Sequence, residues 1–293
     1  MTATLVYRSN ANANARPQRS PPHRHIKVSS RLAPQIYLGH ISQPAGASAA
    51  LPVVVKCAGQ LQRQGPRTEW QAARQLRRVA HPNVVRVFDA FVQRSFVFVV
   101  MEHCARGDLL SHLVATQPES RLEQRHALRI VRQLASGLRF LHDKCNIAHR
   151  DVSLENVFVT RDGGYKLGDF GLCTRADTRA NGCVGKKQYV APEVVAESSY
   201  DPVTADVWSL GILLFMLLTG APLLEFASPT SGDFQWVKAQ GCCGVLEAWC
   251  MDQQLSGETK DLLAKMLEFE PSKRLQNMTQ VLEHPALLGV ENR

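Results

Sequence analysis

The hydrophobic pattern of the chain changes near Met101, and this change limits the possible folds more than any other feature. Before Met101, apolar residues come in short β-branched runs, which are typical of strands. After it, apolar residues recur every three or four positions over long stretches, as on one face of an α-helix. The pattern predicts an α+β fold with a small β-rich N-terminal part and a larger, mostly helical C-terminal part.

Strands and one helix are predicted before Met101. The strand runs read IKVSS, IYLGHI, LPVVVK, VVRVFDAF and FVFVVM. The helix is predicted over Glu69–Val79, where Trp70, Ala73 and Leu76 are spaced three residues apart.

Helices dominate after Met101. One is predicted over Ser120–Leu141, opening with Ser120-x-x-Glu123, a spacing that forms a capping box at helix starts. Two strand-like pieces, NVFVT and YKLGDF, flank Asp162-Gly163-Gly164, which predicts a hairpin turn. Further helical patterns cover Asp206–Leu218 and Thr259–Leu267.

The net charge of +8 is concentrated near the N-terminus. No Asp or Glu precedes Glu69, whereas the same stretch holds nine Lys and Arg residues. Specific nucleic-acid binding needs a basic face on a folded domain, so it is not predicted; a nucleic-acid-associated protein that uses the basic tail stays as an alternative. Residues 1–26 are rich in Asn, Ala, Arg and Pro and predict a disordered tail, with an organelle transit peptide as the alternative.

No membrane span is predicted, because the longest apolar stretch, Val207–Leu218, is shorter than the roughly 18 to 20 residues that a bilayer requires. That stretch predicts a buried core helix. The eight cysteines include no CxxC pair and no zinc-type cluster. Without a secretory apolar stretch near the N-terminus, the chain is expected to be intracellular, in the cytoplasm, with reduced thiols.

Four short motifs occur in a fixed order. Lys56 ends the run VVVK, HRDVSLEN covers His149–Asn156, DFG covers Asp169–Gly171, and APE covers Ala191–Glu193. Each motif alone is weak, but the ordered set resembles the eukaryotic protein kinase family of Ser/Thr type, from about Lys27 to Leu288.

The resemblance implies a two-lobed kinase fold and a division of the chain. The N-lobe would cover residues 27–101, the hinge 102–107 and the C-lobe 108–288, with tails at 1–26 and 289–293. The implied reaction is ATP- and Mg²⁺-dependent phosphorylation of Ser or Thr hydroxyls in a protein substrate. The segments EPSKRL and EHPAL favour Ser/Thr specificity.

The resemblance also assigns roles to single residues. Asp169 and Asn156 would ligate Mg²⁺, because carboxylate and amide oxygens are its preferred protein ligands. Asp151 would orient the substrate hydroxyl and accept its proton. Lys56 would offer a positive charge to the α- and β-phosphates of ATP.

Further positions follow from the same resemblance. Met101 would lie behind the adenine, Glu102 to Cys104 would bond it through backbone groups, and Asp108 would contact the ribose. Four residues would form the buried stack that couples the lobes: Leu76, Val87, His149 and Phe170. Three would be structural: Glu193 paired with Arg274, and Asp206 beneath the catalytic loop.

Two departures concern nucleotide binding. The segment directly before the strand IYLGHI, Arg31–Gln35, is too short for the glycine-rich phosphate loop of the family and contains no glycine. The loop is therefore predicted to be missing, and weak nucleotide binding is expected. Family spacing from Met101 places the helix partner of Lys56 at Ala72, and Glu69 lies one turn earlier. This spacing predicts that the usual Lys–Glu pair is missing unless the helix shifts.

A third departure exchanges two residues. Ser/Thr kinases usually carry Lys two residues after the catalytic Asp and Thr after the Gly that leads into APE; this chain has Ser153 and Lys186 there. Because the family brings these side chains together, Lys186 and Ser153 are predicted to act as an exchanged catalytic pair.

Regulation and specificity also depart from the usual pattern. Gly182 occupies the position of the phosphorylated residue that Arg150 would normally bind, so activation by loop phosphorylation is not expected. Glu155 and Asp108 lie where Arg-preferring kinases hold a basic residue three positions before the phosphorylated one. The alternative function is a pseudokinase that serves as a binding or scaffold module.

Overall fold

The structure is a computed structural model that describes residues 4–8, 23–41, 50–117, 119–196 and 199–290. The chain divides into two compact units. The first comprises Met1–Ala80 and Val85–His103, and the second comprises His81–Val84 and Cys104–Arg293.

The first unit is built on a six-stranded sheet in the order β1-β2-β3-β4-β6-β5, with antiparallel neighbours. The strands are β1 Thr4–Arg8, β2 His23–Ala33, β3 Ile36–Ile41, β4 Leu51–Gln60, β5 Val87–Gln93 and β6 Phe96–Glu102. Helix α1, Gln64–Leu76, packs on β4, β5 and β6. Apolar side chains from alternating strand positions form the core on one face: Ile26, Ile41, Val53, Val55, Phe91 and Val100.

The stretch predicted to be disordered contains strand β1 and the beginning of β2. Thr4 pairs with Lys27 and Arg8 pairs with His23. The prediction is therefore wrong at these residues, because a strand obtains its hydrogen bonds from a distant partner and needs little local pattern. The rest of residues 1–22 lies outside the described residues.

The second unit is mostly helical. Its helices are α2 Leu109–Thr116, α3 Gln124–Arg139, α4 Pro192–Val195, α5 Pro202–Thr219, α6 Gly232–Ala248, α7 Gly257–Met266 and α8 Met278–Leu282. Its short strands are β7 Ile147–Ala148, β8 Val157–Val159, β9 Tyr165–Leu167 and β10 Thr174–Arg175. With the sheet of the first unit, these elements confirm the predicted α+β composition.

Helix α5 is the core helix of the second unit. Among the described residues it alone is long and apolar enough to cross a membrane, yet 83% of its apolar window is buried inside the protein. Trp208 and Phe215 are fully buried. The apolar run from Val207 is therefore explained by burial in the core, as predicted.

The capping box at Ser120 does not form. Helix α3 begins at Gln124, its N-cap Glu123 makes no side-chain cap, and Ser120 has a left-handed φ of 52°. The backbone N–H of Leu122 donates to the carbonyl of Leu217 at 2.7 Å, and this tertiary bond draws the preceding segment away from the helix. The prediction placed the helix start four residues too early.

Candidate active site

The loop His149–Asn156 is held from below by Asp206 of α5. This fully buried carboxylate accepts hydrogen bonds from the backbone N–H groups of His149 at 2.7 Å and Arg150 at 2.8 Å. His142 Nε2 lies 2.8 Å from the same carboxylate. Arg150 has a left-handed φ of 62°. A strained loop backbone fixed by a buried charge is an arrangement found at functional sites.

Asp151 has one engaged carboxylate oxygen and one unengaged oxygen. Its Oδ2 accepts from Asn156 Nδ2 at 2.7 Å and from Lys186 Nζ at 3.2 Å. Its Oδ1 is buried and has no hydrogen-bond partner among the described residues. An ionised carboxylate with one oxygen anchored can accept a proton on the other.

A glycine keeps space beside that oxygen. A Cβ on Gly185 would lie 3.8 Å from Asp151 Oδ1 and only 2.7 Å from the carbonyl oxygen of Arg150. The φ of Gly185 is also left-handed, at 100°. A side chain at this position would therefore be strained and would crowd the loop.

The exchanged residues Lys186 and Ser153 lie in contact. Lys186 Nζ donates to Ser153 Oγ at 2.9 Å as well as to Asp151 Oδ2. Ser153 is fully buried, whereas the Lys186 side chain is about one-third exposed. A positive charge thus lies beside Asp151, as the resemblance implies, although it comes from the opposite segment.

Two oxygen donors suited to a divalent cation come from adjacent segments. The backbone carbonyl of Asn156 accepts the N–H of Gly168 at 2.9 Å, which brings Asn156 next to Asp169. Asn156 Nδ2 is used by Asp151, so its amide oxygen is the group suited to a metal. The described residues contain no cluster of three or more His, Cys, Asp or Glu that could hold a metal. The donor set fits an ion such as Mg²⁺, which takes one or two protein carboxylates and completes its shell with phosphates.

In the first unit, Lys56 and Glu69 form an ion pair. Lys56 Nζ on β4 lies 2.9 Å from Glu69 Oε1 on α1, and Glu69 is only 5% exposed. The prediction that this pair is missing is wrong. Helix α1 begins at Gln64, so Glu69 and Ala72 share its buried face one turn apart, and a carboxylate at either position faces the sheet.

The connection between β2 and β3 is a two-residue turn. Ala33 pairs with Ile36, and the turn consists of Pro34 and Gln35, the latter with a left-handed φ of 65°. The Gln35 carbonyl accepts the N–H of Cys57 at 2.8 Å. The predicted absence of a glycine-rich loop at this hairpin is confirmed.

The remaining predicted nucleotide residues have structural contacts. Met101 and Glu102 lie on β6, and the Glu102 carboxylate accepts the N–H of Arg86 at 2.9 Å. Cys104 is buried in the second unit. Asp108 caps α2 by accepting from both the N–H and the hydroxyl of Ser111 at 2.8 Å. Their roles toward a nucleotide stay predictions.

Hydrogen bonds from side chains of the second unit hold the segment after Asp169. Arg150 Nε donates to the Leu172 carbonyl at 2.7 Å, and its Nη1 donates to the Tyr200 hydroxyl at 3.4 Å. That hydroxyl in turn donates to the carbonyl of Gly182 at 3.4 Å. Asn146 Oδ1 accepts the N–H groups of Ala176 and Asp177 at 3.0 Å.

Sequence reasoning missed two tyrosines at this site, Tyr189 and Tyr200. The Tyr189 hydroxyl accepts the N–H of Leu154 at 3.3 Å and donates to Glu155 at 3.5 Å. Burial, reinforced by the Glu155 charge, raises the Tyr189 pKa well above its ordinary value, so the phenol stays protonated and structural. No local pattern marks either tyrosine, because their partners lie 18 to 50 residues away.

Structural support also comes from Arg274. It forms a two-pronged ion pair with Glu193 at 2.6 and 3.0 Å and lies over the Trp208 ring at 5.1 Å. The pairing that the resemblance implies is therefore present.

Comparison with known proteins identifies the family. The family model for the protein kinase domain matches residues 43–287. The chain belongs to the protein kinase family. A serine/threonine-protein kinase PLK4 from Drosophila grimshawi is 35% identical to this kinase domain over 214 residues, covering 72% of the chain and 26% of that protein. A CBL-interacting protein kinase 4 from Oryza sativa subsp. japonica is 35% identical over 215 residues, covering 72% of the chain and 45% of that protein. The chain thus spans less than half the length of these relatives.

Proposed function

We propose that this chain transfers the γ-phosphoryl group of ATP to Ser or Thr hydroxyls of protein substrates. The observation that carries the proposal is Asp151, whose Oδ2 is anchored while its buried Oδ1 lacks a partner among the described residues. The names of the relatives, which are Ser/Thr kinases or protein kinases, support the same reaction.

Asp151 acts on the attacking hydroxyl. Its Oδ1 accepts the hydrogen bond of the substrate Ser or Thr and takes up the proton as the oxygen attacks. Asn156 and Lys186 hold the other carboxylate oxygen, so the orientation of the base is set before the substrate binds. Such preorganisation contributes to the rate because no rearrangement is needed during the reaction.

Lys186 supplies positive charge near the transferred group. Its ammonium lies between Ser153 and Asp151 and therefore next to the base that receives the hydroxyl. A cation at this place stabilises the negative charge that spreads over the phosphoryl oxygens. Lys186 thereby replaces the lysine that the family usually carries at the position of Ser153.

Nucleotide binding rests on a reduced set of groups. Lys56, oriented by Glu69, offers charge to the α- and β-phosphates. Asp169 and Asn156 would hold Mg²⁺, which when bound neutralises phosphate charge. The Pro34-Gln35 turn lacks the row of N–H groups that a glycine-rich loop provides. We therefore expect a KM for ATP above the usual range of about 1 μM to 1 mM.

The chemistry also favours an intracellular enzyme. ATP is an intracellular substrate, and the eight cysteines are all free thiols.

The decisive experiment combines a thermal shift with Mg-ATP and transfer of labelled phosphate to a generic basic protein. Stabilisation together with transfer supports the enzyme. Stabilisation without transfer, or neither effect, would contradict the proposal and favour a pseudokinase module. A matched sample with AMP in place of ATP controls for binding that does not require the β- and γ-phosphates.

A further inference from the structure

The exposed side of α1 and its two ends carry four exposed arginines, Arg63, Arg67, Arg74 and Arg78, which we name the arginine stripe. Arg67 and Arg74 lie on the helix within about 20° of each other, at 100° per residue. Arg63 is the N-cap residue, and Arg78 follows the C-cap Arg77. Gln71, also exposed, fills the gap in the stripe. The whole helix is about 20 Å long at 1.5 Å per residue, so the stripe runs along its full length.

These arginines have no carboxylate partner among the described residues. The first unit contains only three acidic residues against fourteen Lys and Arg. All three are engaged elsewhere: Glu69 with Lys56 at 2.9 Å, Asp89 with Arg77 at 3.1 Å, and Glu102 with the N–H of Arg86 at 2.9 Å. The stripe therefore presents charge that the unit itself does not neutralise.

The stripe does not serve the stability of the helix. Arg63 and Arg67 lie at the N-terminal end of α1, which has no acidic residue in its first turn. Cations are unfavourable there because of the helix dipole. Arg63 adds a further positive charge directly before the helix, as the N-cap residue, and makes no side-chain cap. Binding of an external partner would explain why these arginines occur at positions where they do not stabilise the helix.

One arginine of the stripe is held in place by an aromatic ring. The guanidinium of Arg74 lies 4.9 Å from the centre of the Trp70 ring. A cation stacked on a ring loses less freedom on binding and keeps its edge N–H groups available for a carboxylate.

We propose that the arginine stripe binds an acidic segment of a partner protein, a helix whose carboxylates repeat the spacings of four, seven and four residues. Such a helix repeats its charges at the same rise as the stripe, so each guanidinium can meet one carboxylate in a two-pronged bond. The described part of α1 favours a polypeptide over nucleic acid, since its one partly exposed aromatic ring is covered by Arg74. Glu69 lies 200° around the helix from Arg67, so the partner binds the side opposite the Lys56 contact.

Binding to a labelled synthetic helix tests this proposal independently of phosphate transfer. The probe carries Glu at the 4-7-4 spacing of the four arginines, and fluorescence anisotropy is measured with the full chain at about 0.1 M salt. We expect Arg67→Glu/Arg74→Glu to weaken binding at least tenfold, and Arg67→Gln/Arg74→Gln to weaken it less. The matched control Arg125→Glu/Lys238→Glu reverses two exposed charges of the second unit and should change binding less than twofold.

Each other outcome overturns a stated part of the proposal. Absence of binding, or equal loss in the control pair, would show that the stripe is only a solvated face. If a peptide of the same composition with Glu at irregular positions bound as tightly as the probe, the proposed match between carboxylate and arginine spacings would be refuted. Tighter binding of a single-stranded oligonucleotide through the same arginines would assign the stripe to nucleic acid. Thermal unfolding of every variant confirms that the fold is kept.

Discussion

The two units contribute unequal parts of the kinase machinery. In the second unit, Asp151, Ser153, Asn156 and Lys186 form one hydrogen-bonded group above a fully buried Asp206. In the first unit, the corresponding groups are one ion pair, Lys56 with Glu69, and a two-residue turn without glycine between β2 and β3. Under the proposed function, the groups assigned to the substrate hydroxyl and the transferred phosphoryl form a complete set, whereas those assigned to the nucleotide are fewer. Damage to the second unit should therefore lower kcat, and damage to the first should raise the KM for ATP.

The largest effect is expected from Asp169→Asn. Loss of the metal-ligating charge should lower kcat by about 10³-fold or more. The fold should persist, because Asn tolerates the left-handed φ of 62° found at this residue. Steady-state kinetics and thermal unfolding measure both effects.

Asp177→Asn is the matched control, since Asp177 lies in the same segment and pairs with exposed Arg175. Wild-type activity no higher than that of Asp169→Asn would show that the chain does not transfer phosphate.

The second effect concerns the exchanged pair. Lys186→Ala should lower kcat by about 10²-fold with little change in the KM for ATP, because the charge matters most as the phosphoryl group is transferred. Lys187→Ala, an exposed neighbour, should have no effect. The double change Ser153→Lys/Lys186→Thr should restore activity, and a double variant no better than Lys186→Ala would refute the exchange.

The third effect tests the first unit. Glu69→Gln should raise the KM for ATP about tenfold, equivalent to about 1.4 kcal/mol, and leave kcat within about twofold. Moving the carboxylate one turn with Glu69→Ala/Ala72→Glu should recover most of the loss, since both positions share the buried face. A fall in kcat at unchanged KM would contradict the assigned division of labour.

The fourth effect is smaller. Tyr200→Phe removes the hydrogen bond from the Arg150 guanidinium and the one to the Gly182 carbonyl. Both are long, at 3.4 Å, so the loss should be about 1 kcal/mol and should lower kcat about fivefold. Treatment of the wild-type protein with phosphatase should leave activity unchanged. Loss of activity after that treatment would show that this kinase needs a phosphate in the segment after all.

The smallest effect is on peptide choice. In an arrayed library, Arg three positions before the phosphorylated residue should be enriched about threefold, and Glu155→Ala should abolish the enrichment. Asp108→Asn keeps an oxygen that can accept the N–H of Ser111 at the start of α2, but it removes the negative charge. The variant therefore separates the capping role of Asp108 from its predicted role in binding the peptide Arg. A flat profile at this position would refute the assignment.

The sequence predicted elements well where hydrophobic periodicity is strong. Strand β3 falls at the predicted residues, and helix α5 covers the predicted Asp206–Leu218 but begins four residues earlier, at Pro202, because its apolar run is long and buried. The sequence-based predictions failed where a distant contact decides the local structure. The backbone N–H of Leu122 bonds the carbonyl of Leu217 and not a residue of the expected helix, and β1 depends on pairing with β2. The missed Lys56–Glu69 pair has a similar cause, because counting back from Met101 assumes constant connection lengths while β5, within the counted stretch, has a register shift between Val87 and Asp89. Motif residues were found because their chemistry is encoded locally; Tyr189 and Tyr200 were not.

The position of Lys186 has a consequence for how activity could be controlled. The lysine that Ser/Thr kinases usually carry two residues after the catalytic Asp would lie in the loop that Asp206 holds. Here the charge belongs to the segment before APE, which is bonded to the rest of the unit through Tyr200 and Asn146. Any displacement of this segment would withdraw the Lys186 ammonium from both Asp151 and Ser153 in one step. Activity should therefore depend on the position of this one segment.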